Sequence, residues 1–130
     1  MKKAQLIAAG LLGAVFIVFG LNFFLQFIPI PQPEPDTPPA NFMGAMYVTG
    51  FLTFVKVLEV LGGVLVVIPK TRVLGLLILT PIVVNIVAFH AFITSGYGLF
   101  DPPVILITVT STFLIWSHHK GVAALLADRG

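Results

Sequence analysis

Six strongly polar side chains interrupt otherwise apolar stretches of this chain: Asn22 and Gln26, Lys56 and Glu59, Asn85 and His90. Lys56 and Glu59 are three residues apart, so on a helix they share a face and can form an ion pair. Asn22 and Gln26, four apart, also share a face. Asn85 and His90, five apart, diverge somewhat but can border one cavity. Glu59 and His90 are the groups able to carry protons, Lys56 can offer positive charge to an anionic or carbonyl group, and Asn85 can orient it. A charge at the centre of a bilayer costs on the order of 3 kcal/mol, so two in one apolar helix need a reason. One reason is function at a polar intramembrane pocket. The other is that the pair only satisfies itself and holds helices together.

The elements that must position these residues follow from composition. The chain has 130 residues, of which 58% are hydrophobic and 9% charged. Soluble domains carry about 25% charged residues, so lipid is the expected solvent. The chain has no cysteine, which excludes disulfides, thiol redox chemistry and cysteine-ligated clusters. Four apolar segments run over Ala4–Ile28, Asn41–Ile68, Val73–Thr94 and Pro103–His119, each near the roughly 20 residues of a spanning helix. The expectation is an all-α polytopic membrane protein, a single domain of four transmembrane helices in an antiparallel bundle. The first segment opens with "MKK", but its apolar run is too long for a signal peptide and it is expected to be retained.

Loop charges set direction. Lys2, Lys3, Lys70, Arg72, Lys120 and Arg129 all fall on one side, whereas Glu34, Asp36 and Asp101 occupy the other two loops. The positive-inside rule then predicts both termini in the cytoplasm. Tyr47 and Tyr97 serve as outer interface anchors and Trp116 as an inner one. The loop over 29–40 holds six of the ten prolines and is expected to be extended, without helix or strand. It is either a spacer or a strap over the outer face. Asp101 before Pro102 and Pro103 reads as a capping acid at the start of the last helix. The tail "GVAALLADRG" reads as weakly amphipathic, lying on the inner interface or frayed.

Depth orders the polar residues. At about 1.5 Å per residue from the inner helix ends, Glu59 lies roughly 13 Å in and Lys56 and Asn85 roughly 18 Å. His90 lies roughly 25 Å in and Asn22 roughly 27 Å. This predicts a polar ladder opening outward and ending near mid-membrane, extended by Thr49 and Thr53. Pro81 is expected to kink the third helix and free the Leu77 carbonyl. Gly62 and Gly63, with Gly10, Gly13 and Gly20, read as close helix packing.

Several chemistries are not expected. Only His90 is buried enough to bind haem, so a bis-histidine haem would need a dimer to share it. No cluster has metal-ligand spacing, and there is no phosphate loop or Ser-His-Asp set. No nucleic-acid partner is expected. A quinone is the one cofactor-like ligand that the phenylalanine-rich helices suggest.

The segments "FGLNFFLQFIPIP", "KVLEVLGGVLVV" and "LTPIVVNIVAFHAF" resemble the DoxX family of small four-helix bacterial membrane proteins. Lys56-x-x-Glu59-x-x-Gly62-Gly63, followed by Asn85 and His90, is the most telling part. The proline-rich first loop is similar to the branch with an extended outer loop. Many members carry a cation near the end of the first helix where this chain has Gln26. The resemblance implies a redox-associated membrane subunit, a partner of an oxidoreductase more than an enzyme alone. Two other readings stand beside it: a small transporter or proton pathway, and a non-catalytic scaffold. A homodimer is compatible with so thin a bundle.

Overall fold

The computed structural model describes residues 1–127. Six α-helices follow in order: α1 Lys2–Leu25, α2 Pro38–Val48, α3 Phe51–Val67, α4 Arg72–Ala88, α5 Pro102–Ser117 and α6 His119–Leu126. A 3-10 turn, Pro69–Thr71, joins α3 to α4, and a π turn, Phe89–Ile93, extends α4. There is no strand among the described residues. Two stretches, Lys2–Leu25 and Pro69–Ile93, are long and apolar enough to cross a membrane. A third exists if α2 and α3, bent by 83°, form one broken span. α5 is apolar but shorter.

Four helices close into a ring, with α3 packed between α1 and α4, and α5 packed between α4 and α1. Glycines set the tight contacts. A Cβ on Gly13 would lie 2.8 Å from the Gly63 carbonyl, and one on Gly20 would lie 3.4 Å from the Lys56 carbonyl, so α1 and α3 run antiparallel. On the other side of α3, a Cβ on Gly75 would lie 2.5 Å from the Val66 amide nitrogen and 2.9 Å from the Gly62 carbonyl. Gly62 and Gly63 thus serve two partners, because successive residues on a helix face different neighbours. Gly10 is a correction: nothing lies within 4 Å of its Cβ position, so it takes no part in this packing. Between the helices lies a core that includes Ala9, Leu12, Phe16, Val66, Leu76, Leu79, Ile107 and Leu114. The starts of α1 and α4 and the ends of α3 and α5 therefore share one end of the bundle. Lys2, Lys3, Lys70 and Lys120 sit at that end, while Arg129 lies outside the described residues.

The helix expected over 41–68 is two helices. Gly50 adopts φ 82, in the left-handed region that a side chain disfavours, and the chain turns there. The Thr49 hydroxyl donates to the Ala45 carbonyl, 2.8 Å, covering the end of α2. Helix also starts earlier than the loop 29–40 allowed. Thr37 accepts from the Ala40 amide, 3.4 Å, and Pro38 fills the first turn, where its missing N–H costs nothing. None of the described α2 side chains is buried. α4 runs through Pro81 uninterrupted. The last apolar segment breaks at His118, where α5 gives way to α6. Asp101 stands at the N-cap of α5 but makes no side-chain capping bond, contrary to the sequence reading.

Candidate functional site

The Lys56 Nζ donates to Glu59 Oε1 at 3.3 Å, one helical turn apart on α3. Glu59 is buried, on the face that carries Gly62 and Gly63 into the bundle, whereas the Lys56 side chain keeps 21% of its surface exposed. The pair thus straddles the wall of the bundle, with carboxylate inside and ammonium emerging beside exposed Thr53, Phe54 and Val57. An ammonium has three N–H donors, so two remain for a ligand. The break at Gly50 also changes the depth. α3 starts at Phe51, and Lys56 lies about 8 Å from that end and about 5 Å from the helix midpoint at Glu59.

The other four predicted residues do not join this pair. Asn22 is buried, but both ends of its amide are used: Nδ2 donates to the Ile28 carbonyl at 2.9 Å and Oδ1 accepts from the Ile28 amide at 2.6 Å. It clamps the chain leaving α1, where Gln26 turns with φ 53 as the left-handed C-cap. Gln26 itself is exposed. Asn85 is exposed and donates to the Pro81 carbonyl of its own helix at 3.0 Å, satisfying the backbone around the proline. His90 is half-buried on the π turn, with Nδ1 2.9 Å from the Ile86 carbonyl and its ring edge-on to Phe89. The expected ladder is therefore dispersed into local backbone bonds. Thr49 serves the end of α2, and Thr53 is exposed. A cavity of about 190 Å³ lies elsewhere, between the end of α4 and the start of α5, lined by Val87, Leu99, Phe100, Val104 and Thr108 among others.

Sequence reasoning missed the role of Arg72. It reads as a loop cation, yet its side chain is buried, with Nε donating to the Val66 carbonyl at 2.9 Å and Nη2 to the Val67 carbonyl at 3.2 Å. Thr71 adds a bond to the Leu65 carbonyl at 2.7 Å. The turn "PKTR" thus satisfies the carbonyls that the end of α3 leaves open. An arginine a few residues beyond a helix end is the available signal. His118 lies near this guanidinium, and its Nε2 is buried without a hydrogen-bond partner. Burial, and then the Arg72 charge, push the imidazole below its usual pKa.

In comparisons with known proteins, the chain matches no family model, no curated protein and no solved structure.

Proposed function

We propose that this is a four-span protein of the bacterial inner membrane with both termini cytoplasmic. In this reading it resembles DoxX proteins and serves as a redox-associated subunit that offers Lys56 and Glu59 to a quinone. The observation that carries the reading is the partly exposed ammonium of Lys56 held against a buried carboxylate on an apolar helix. An ammonium emerging through the wall of a bundle faces lipid, so a ligand reaching it laterally is itself lipid-soluble. A quinone carbonyl accepts the N–H groups that Glu59 leaves free, and Glu59 supplies a proton site beside it. The clustering of Lys2, Lys3, Lys70 and Lys120 at one end supports the orientation. With Asn22, Asn85 and His90 each committed to backbone, a transmembrane half-channel has lost its rungs. The oxidoreductase partner, or a second copy of the chain, would supply the remaining walls.

The test is equilibrium binding of a short-chain quinone to the purified protein in detergent. A charge-assisted hydrogen bond is worth about 1.5–3 kcal/mol, so Lys56→Met is expected to weaken binding by about tenfold or more. Glu59→Gln, which keeps the shape but not the charge, separates holding Lys56 from donating a proton. Unchanged binding in both variants would remove the pair from the site. If Lys56→Met with Glu59→Leu also folds as well as the parent, the pair is a replaceable structural ion pair and the scaffold reading stands.

A further inference from the structure

We propose that a groove on α5, ending at Trp116, seats an acyl chain of an anionic phospholipid whose headgroup Lys120 holds. The inference rests on the four-span reading, because α5 must lie in lipid. The site is separate from the Lys56–Glu59 pair.

Ile105, Val109, Thr112 and Trp116 recur every three to four positions along α5, and all four are exposed. On a spanning helix such a face meets lipid. It is not flat. A hollow of about 490 Å³ runs along it, lined by Thr108, Val109, Thr112, Phe113 and Trp116. The Thr108 hydroxyl donates to the Val104 carbonyl of its own helix at 2.7 Å, so its O–H is spent. Phe113 and Trp116 stand at one end, with ring centroids 6.3 Å apart. From Thr108 to Trp116 the helix rises about 12 Å, close to the roughly 15 Å of one leaflet's hydrocarbon. Thr108 and Val109 also border the cavity that reaches Val87, so the groove follows the α4 side of α5.

Charge names the occupant. Trp116 lies at the end of the bundle where Lys2, Lys3, Lys70 and Lys120 gather. His119 Nδ1 is 2.8 Å from the Trp116 carbonyl, which ties the start of α6 to the end of the groove. Lys120, the next residue, is exposed. A Cβ on Gly121 would lie 3.1 Å from Val73 Cγ2, so α6 turns over the start of α4, on the side the groove follows. No carboxylate side chain lies at this end among the described residues: Glu34, Asp36 and Asp101 belong to the other end, and Glu59 is paired with Lys56. A cationic rim beside an apolar hollow one leaflet long complements a phospholipid of net negative charge. Each lysine near the membrane surface favours such a headgroup by about fivefold.

Trp116 is the single tryptophan of the chain, so its fluorescence reports this groove. The experiment reconstitutes the full chain in vesicles of phosphatidylcholine and phosphatidylglycerol, with the acyl chains of one or the other brominated to quench it. Brominated phosphatidylglycerol is expected to reach half-quenching at about one fifth of the mole fraction that brominated phosphatidylcholine needs. Lys120→Gln should bring the two lipids level. Lys3→Gln removes the same charge at the same end, on α1, and should leave most of the preference. Equal quenching by both lipids, or equal loss of preference in both variants, would overturn the site while leaving α5 in lipid and the four-span reading intact. Quenching by neither lipid would also overturn it, and the emission would say how. Water-like emission would put α5 outside the bilayer and remove the four-span reading as well; blue-shifted emission would mean that a second copy of the chain covers Trp116.

Discussion

Replacing Gly75 with alanine would place a carbon 2.5 Å from the Val66 amide nitrogen and 2.9 Å from both the Gly62 carbonyl and the Val66 Cα. All three obstacles are backbone atoms of α3, so no side chain can rotate away. Favourable contact needs about 3.5 Å, so α4 must withdraw by about 1 Å. Overpacking of this kind costs about 1–3 kcal/mol, and a rigid backbone obstacle belongs at the upper end. Alanine returns about 1 kcal/mol of helix propensity, leaving a net loss of about 2 kcal/mol. Gly10→Ala meets nothing within 4 Å and should only gain, by about 1 kcal/mol. Gly62→Ala falls between, because it meets the Leu79 side chain, which can shift. The assay is reversible unfolding in mixed micelles with increasing anionic detergent, followed by helical circular dichroism. The decisive quantity is the gap between Gly75→Ala and Gly10→Ala, about 3 kcal/mol with opposite signs. Equal stability of the two variants would show that α3 and α4 do not touch through Gly75 and would refute the packing argument.

Two further outcomes can be measured in the same way. Arg72→Met removes the donors to the Val66 and Val67 carbonyls, and leaving a buried carbonyl bare should destabilise the protein by about 2–3 kcal/mol. The same loss is not expected for Lys70→Met, because Lys70 is exposed. His118 has a native pKa held below its ordinary value by burial and by Arg72. Its unfolded form therefore binds a proton first as pH falls, so its contribution is intact above about pH 6.5 and stability drops below that. Replacing it by phenylalanine should flatten the unfolding midpoint between about pH 7 and 5, and an unchanged slope would assign the pH dependence elsewhere.

Much of the helical framework is visible in the sequence because apolar runs of this length have few structural alternatives. The glycine pair at 62–63 is legible for the same reason: two small residues in a row can face two partners. The break at Thr49–Gly50 is not legible, since apolar residues flank it on both sides and glycine is common inside membrane helices. Asn22 looks like a rung of a polar ladder because pattern reading measures depth along a straight helix. Its bonds to Ile28 depend on the left-handed turn at Gln26, which nothing in the local composition announces. Lys56 and Glu59 are the exception among the candidate residues. Their spacing alone specifies their contact, so they are found together as expected.

The helix lengths carry a consequence for the surrounding lipid. In the four-span arrangement, α3 and α5 have 17 and 16 residues and α1 has 24. At the helical rise these are about 25, 24 and 36 Å, against about 30 Å of hydrocarbon. A bilayer holding all four would thin beside α3 and α5 and thicken, or let the helix tilt, beside α1. Such hydrophobic mismatch costs fractions of a kcal/mol per Å and falls as acyl chains shorten. The protein should therefore partition towards thin, short-chain lipid.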